Sequence, residues 1–415
     1  MNQNSNFNKF LLLWFGELIS SIGSGLTAFG LGVYVFKVTG SAASMSLVTL
    51  LGFLPSLLLS VPAGILADRY DRRLLMMIGD GFSAIGVLFI LICMIRGEAT
   101  LFQICIGVSI SAVFSALLEP SYRATVTDLL TTEEFSRANG LVSLAGSSRY
   151  LFSPLIAGLL LTISDVKLLL IIDIATFLLT VTGVAVVRKE IGVKETKVKE
   201  AFFDSIKSGL TVLRETKGLL ALVFLSSVVT LFMGMFQTLV KPLILSFQNE
   251  RTLGIAETIC ASGMLAGGLI LGIKGIRKNY VTYLALSLSL LGLCMFGFGL
   301  FENIITISIF GFLFFLVLPV ANNCMDFLAR TNIPSDKQGR VWGLIGFISQ
   351  LGYVVSYAVS GVLADALGQI GNRGVGRGSA LLIMIAGLSL TVFSVGIFFR
   401  KNIKSLEPKE VIYEI

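Results

Sequence analysis

Twelve stretches of this chain are each long and apolar enough to cross a lipid bilayer, and that property restricts every other reading of it. They run over residues 10–36, 43–67, 74–95, 100–127, 138–162, 166–187, 218–247, 253–274, 280–300, 303–328, 341–367 and 379–399. A helix needs about 20 mainly apolar residues to span a hydrocarbon core of about 30 Å. Backbone groups in lipid have no water to bond, so such stretches are expected to be helices. Membrane strands would be shorter and would alternate in polarity. Of the 415 residues, 55% are hydrophobic and only 14% charged, a balance that would leave a water-soluble globule with large exposed apolar patches.

The chain has no histidine. That excludes Ser-His-Asp and Cys-His catalysis and histidine-ligated metals. There is no G-x-S-x-G elbow and no Walker A sequence, which argues against a hydrolase or a nucleotide-driven pump. Ile78-Gly79-Asp80 and Tyr70-Asp71 fall short of the intramembrane aspartyl-protease pattern. Cys93, Cys105, Cys260, Cys294 and Cys324 all fall within spans and form no C-x-x-C pair, so they read as small buried side chains. The expectation is a membrane protein without metal or cofactor and not an enzyme.

With the amino terminus placed inside, the inner segments hold 24 Lys and Arg against seven outside. This bias predicts that both termini are cytoplasmic, and it accounts for the net charge of +7 without nucleic acid as a partner. The first span is too long for a signal-peptide core and is expected to be retained. The longest hydrophilic connection, 188–217, separates six spans from six. Within it Phe203, Ile206, Leu210 and Leu213 recur at helical spacing, which predicts an amphipathic helix over about 200–215 on the inner membrane surface. Domains are therefore expected at 1–187 and 218–399, with a linker at 188–217 and a cytoplasmic tail at 400–415. The halves match at an offset of 203 residues: Gly64 with Gly267, Arg137 with Arg340, Ser153 with Ser356, Gly158 with Gly361. Two related six-helix halves suit a device that rocks about a shared site.

Between the second and third spans stands Gly64-Ile65-Leu66-Ala67-Asp68-Arg69-Tyr70-Asp71-Arg72-Arg73. It resembles the G-x-x-x-D-[RK]-x-G-[RK]-[RK] signature of the major facilitator superfamily, with Asp71 where the pattern usually has glycine. Gly64 reads as allowing a close helix approach, Asp68 as sitting at the N-terminus of the eleventh span, where the helix dipole favours it. Arg69, Arg72 and Arg73 read as partners of acids at the end of the fourth span such as Asp128. The alternative is a plain positive-inside loop. The stretches 51–55, 68–73, 263–269 and 339–346 resemble more narrowly the macrolide-efflux branch of that superfamily. Departures are the absence of a mid-membrane Arg in the fourth span and a fifth-helix pattern reduced to Gly146, Pro154 and Gly158.

This resemblance implies an all-α membrane protein with the major facilitator fold: twelve helices in two pseudo-symmetric six-helix bundles. It implies a monomeric exporter of small amphipathic drugs from a bacterial cytoplasm by alternating access, driven by protons. Export of a siderophore or peptide, or nutrient import, remain the alternatives. The family's cavity is lined by the first and fourth helices of each half, which puts Ser24, Thr27, Phe232, Met235, Phe236, Gln237, Phe314 and Asn322 forward as substrate-facing residues. For any one Phe, packing against neighbouring helices is the competing reading.

Ionisable groups at membrane depth are functional candidates by default. Arg149 stands about 14 Å from the inner surface at 1.5 Å per residue, and Glu17 or Glu119 are its expected partners. Glu119 also precedes Arg123 by one helical turn. Asp80 is expected to be held by the Arg69–Arg73 cluster, and Asp173 to accept a hydrogen bond between helices or to charge the outer vestibule. A proton relay and a fixed ion pair are both open for Glu17, Glu119 and Arg149.

Overall fold

The computed structural model describes residues 6–131, 134–190, 211, 213, 218–333, 338–370, 372–399 and 401–407. Twelve of its helices are long and apolar enough to cross a membrane. The first unit contains α1 (Phe7–Thr39), α2 (Ala42–Arg69), α3 (Arg72–Arg96), α4 (Leu101–Ser115), α5 (Leu118–Leu129), α6 (Phe135–Leu151), α7 (Ser153–Ile163) and α8 (Val166–Glu190). The second contains α9 (Leu219–Leu245), α11 (Tyr280–Leu300), α12 (Ile304–Asn332), α13 (Gln338–Gln369), α14 (Gly374–Phe399) and the short α15 (Lys401–Lys404). Helix α10 (Glu250–Lys274) starts in the first unit, which takes Gln248–Thr258, and continues in the second from Ile259. The predicted amphipathic helix lies outside the described residues except for Thr211 and Leu213, both helical, with Leu213 buried.

Two predicted spans are broken in the middle. The fourth is split into α4 and α5 at Ala116–Leu117, and the fifth into α6 and α7 at Phe152. In each case a proline follows closely, Pro120 and Pro154. A proline ring clashes with the carbonyl four residues earlier and lacks the N–H that would bond it. Polar termini are satisfied locally. Thr100 and Gln103 form a reciprocal capping box at the start of α4, and Asn303 caps α12; such caps satisfy N–H groups that the helix leaves unpaired. The start of α11 is capped from the tail instead. Glu407 accepts hydrogen bonds from the N–H groups of Tyr280 (2.5 Å) and Val281 (3.0 Å), and Ile403 and Leu406 are buried beside it.

Within each unit the helices meet in the same order. In the first, the first span packs on the fifth and sixth, and the third on the fourth and sixth. The second unit repeats those pairings with α9 on α13 and α14, and α11 on α12 and α14. A shared detail supports the repeat read from the offset. A Cβ on Gly25 would lie 2.2 Å from Ser153 Oγ, and one on Gly234 would lie 2.8 Å from Ser356 Cβ. In both units a glycine on the first helix lets a serine on the fifth press against its backbone, the small-residue contact by which membrane helices pack closely.

Candidate functional site

At the end of the first unit that carries Phe7 and Arg72, an apolar plug joins α1, α3, α5 and α8. It comprises Phe10, Leu13, Met76, Tyr122, Leu129 and Val184, with neighbours. Above and below this plug lie two polar sets.

The first set surrounds the α2–α3 loop. Arg72 donates to Asp128 Oδ2 (2.7 Å), to the Ala124 carbonyl (3.1 Å) and to the Ala67 carbonyl (3.2 Å). The pairing of this arginine cluster with Asp128 is thus present, through Arg72. Asp68 is exposed and approaches Arg72 at 4.0 Å. Arg69 is exposed and Arg73 buried. A Cβ on Gly64 would meet nothing within 4 Å, so the close approach expected of this glycine is not made. Asp71, the departure from the signature, pairs with Arg188 at 2.6 Å. Nothing in the spacing announced that partner, which comes from a helix more than a hundred residues away.

The second set is inside the bundle. Glu17 lies one turn beyond Leu13 on α1, and Asp80 one turn beyond Met76 on α3, so both stand about 6 Å above the plug at 1.5 Å per residue. Glu17 accepts a hydrogen bond from Ser21 Oγ (3.4 Å). Asp80 is 1% exposed, and neither of its carboxylate oxygens has a hydrogen-bond partner among the described residues. No hydrogen bond from the arginine cluster reaches Asp80 among the described residues, and Arg72 is turned to Asp128. Tyr122, which the sequence reading passed over, belongs here too. Its hydroxyl is buried without a partner and lies in the field of Glu17.

Asp173 is also 1% exposed. It accepts from Ser24 Oγ at 3.5 Å, as expected of an acceptor that joins packed helices. Thr27 is buried as well. Thr176 and Thr180 continue a seam of hydroxyls down α8, with Thr180 reaching the Gly16 carbonyl at 3.4 Å. Arg149 is exposed. The expected pairing of Arg149 with Glu17 or Glu119 is not made among the described residues, where Glu17 bonds Ser21 and Glu119 bonds Arg123. Glu119 is 74% exposed and bonded to Arg123 at 2.8 Å, one turn along its own helix. The break at Pro120 turns this part of the span into a separate amphipathic helix, α5, and puts Glu119 on its outer face.

The second unit treats its candidate residues differently. Phe236 is 1% exposed and stacks on Phe314 with ring centroids 4.5 Å apart; Phe298 meets it edge-on at 4.7 Å. Phe236 and Phe314 are core residues of this unit, which corrects their assignment to the substrate surface. The residues beside them keep exposed faces. Phe232 and Met235 are half-buried, Asn322 is exposed, and Gln237 is exposed and accepts from the Tyr357 hydroxyl at 3.1 Å. The described residues contain no cluster of three acidic or cysteine side chains able to hold a metal ion.

Comparison with known proteins agrees with this architecture. The chain is 28% identical to Macrolide efflux protein A of Streptococcus pyogenes over 87% of its own length and 90% of that protein's. It is 26% identical to Multidrug efflux pump Tap of Mycolicibacterium fortuitum, over 88% of this chain and 91% of that one. Among solved structures, a bacterial homologue of the human lysosomal transporter Spinster, in an inward-facing and unoccupied conformation, superposes with a TM-score of 0.75. That match has 12% identity and covers 97% of this chain and 98% of that one, so it speaks for the fold alone. Residues 13–357 match the family pattern of the Major Facilitator Superfamily. With twelve membrane-spanning helices, four helix pairings repeated in both units and that match over most of its length, the chain belongs to the Major Facilitator Superfamily and is a multi-pass membrane transporter.

Proposed function

We propose that this transporter exports amphipathic compounds of the macrolide type from a bacterial cytoplasm in exchange for protons. The efflux names of its relatives support the direction and the substrate class. The single observation that carries proton coupling is Asp80, a carboxylate enclosed in the bundle with no hydrogen-bond donor among the described residues. A charge in such a place is expensive unless it is compensated. Taking up and releasing a proton is the simplest way for that side chain to enter and leave an uncompensated state. Glu17 and Asp173 act on it electrostatically, so the three carboxylates exchange charge as a set.

In this reading both termini are cytoplasmic, following the positive-inside bias. The Asp128–Arg72 pair and its neighbours Gly64, Asp68, Arg69 and Arg73 form the cytoplasmic gating loop. Each unit offers substrate-facing residues of its own: Ser24 on the first, and Phe232, Met235, Gln237 and Asn322 on the second. Half-buried Phe and Met side chains with a few amides suit bulky, varied, greasy ligands. The protein acts as a monomer.

The test is erythromycin flux in proteoliposomes under an imposed pH gradient. Accumulation should follow the gradient and disappear when a protonophore collapses it. Accumulation that is indifferent to the protonophore ends the proton-coupling proposal.

A further inference from the structure

The signature loop carries an aspartate where its family pattern has glycine, and the local backbone shows that glycine is not needed there. Asp71 has φ −60° and ψ 111°, a conformation open to any L-residue. Its two carboxylate oxygens are used separately. Oδ1 accepts from the N–H of Arg73 at 3.1 Å and so caps α3. Oδ2 accepts from Nε of Arg188 at 2.6 Å, and the Asp71 side chain is only 12% exposed. A charged donor and acceptor at that distance form the stronger class of hydrogen bond.

Arg188 lies in the last turn of α8. A few residues on, the chain enters the connection that leads from the first unit to the second. On its other side the same loop is held by Arg72, which reaches Asp128 and the Ala124 carbonyl on α5. Next to it stands the apolar plug, to which Met76 of α3 and Val184 and Val187 of α8 belong. The loop is thus fastened to α5 by one arginine and to the end of α8 by one aspartate.

We propose that Asp71 and Arg188 are a positioning pair for transport, which locks the signature loop to the exit of the sixth span so that movement of the loop is passed directly to the connection between the units. Neither residue touches the transported compound. The inference rests on membership of the transporter family and stands whether or not the coupling ion is the proton.

Four variants test it: Asp71→Asn, Asp71→Gly, Arg188→Gln, and the exchange of Asp71→Arg with Arg188→Asp. Asparagine keeps the helix cap and removes only the charge, so it separates the two uses of Asp71. In erythromycin transport by proteoliposomes, Asp71→Asn and Arg188→Gln should each lower the maximal rate about tenfold with KM within twofold. The exchanged pair should recover a large part of that rate. Rates within twofold of the parent for Asp71→Asn, or an exchanged pair no better than the single variants, would overturn the proposal. Hydrogen exchange supplies a readout independent of substrate. Amides at 186–190 should exchange faster in Asp71→Asn than in the parent protein, and equal rates there would also overturn it. If the parent itself fails to move erythromycin, the proposed substrate falls and hydrogen exchange alone decides the pair.

Discussion

Where the first unit encloses Glu17, Asp80 and Asp173, the second encloses Phe236, Phe298 and Phe314. Four helix pairings are the same in both, down to a first-helix glycine pressed on a fifth-helix serine. Among the described residues the buried polar side chains of the second unit are hydroxyls, Thr238, Ser287, Ser356, Ser360, Ser379 and Ser394. The first unit buries two carboxylates outright as well. One scaffold has therefore been filled in two ways. Aromatic rings packed edge-on and stacked make a core that has every reason to stay as it is. A buried carboxylate such as Asp80, without a hydrogen-bond partner among the described residues, makes a core whose stable state depends on what neutralises it. The comparison teaches that the repeat preserves helix spacing, while the chemistry of coupling is free to reside in one half.

The largest expected effect strikes the aromatic core. Phe236→Ala should cost about 3–5 kcal/mol of stability, read as a lower thermal midpoint of the purified protein. A variant that melts with the parent would break the contrast between the units. Next come Gly25→Val and Gly234→Val, each expected to cost about 1–3 kcal/mol by overpacking the first-helix and fifth-helix contact. Similar losses in the two would sharpen the claim of a shared scaffold, and a loss in only one would count against it. Asp80→Asn should leave the thermal midpoint unchanged or raised, because it removes a charge rather than a contact. Gradient-driven transport by that variant should fall at least tenfold, about 1.4 kcal/mol in the barrier, while drug exchange without a gradient persists. Retained uphill transport by Asp80→Asn would move the coupling out of the first unit's interior. The smallest effect is expected for Glu119→Gln. Its ion pair with Arg123 is solvent-facing, and such pairs contribute little, so transport within twofold of the parent is the expected outcome.

Much of this protein was legible before any coordinates. The twelve spans agree with the helices to within a few residues, and the arginine cluster next to Asp128 was expected from the signature. Glu119 was readable as a local partner of Arg123 from its spacing, yet it was also put forward for Arg149. Only the break before Pro120 shows why the first role excludes the second. Phe236 carries the same apolar signal as Phe232, four residues earlier, and nothing in the sequence says which of them turns to Phe314. Asp80 was misread for a similar reason. Its closeness along the chain to Arg72 and Arg73 suggested a pair, but on a helix that begins at Arg72 it projects two turns further on, toward α1 and α8.

Local sums are what sequence alone determined: the number of crossings, their helical form and the family. Hydropathy, length and motif spacing add up along the chain without reference to what lies opposite. The tertiary structure decided the partners: Arg123 for Glu119, Arg188 for Asp71, and none for Asp80 among the described residues. Periodicity tells which residues share a face of one helix. Which helix meets that face follows only when six of them pack together and each buried charge finds, or fails to find, its complement.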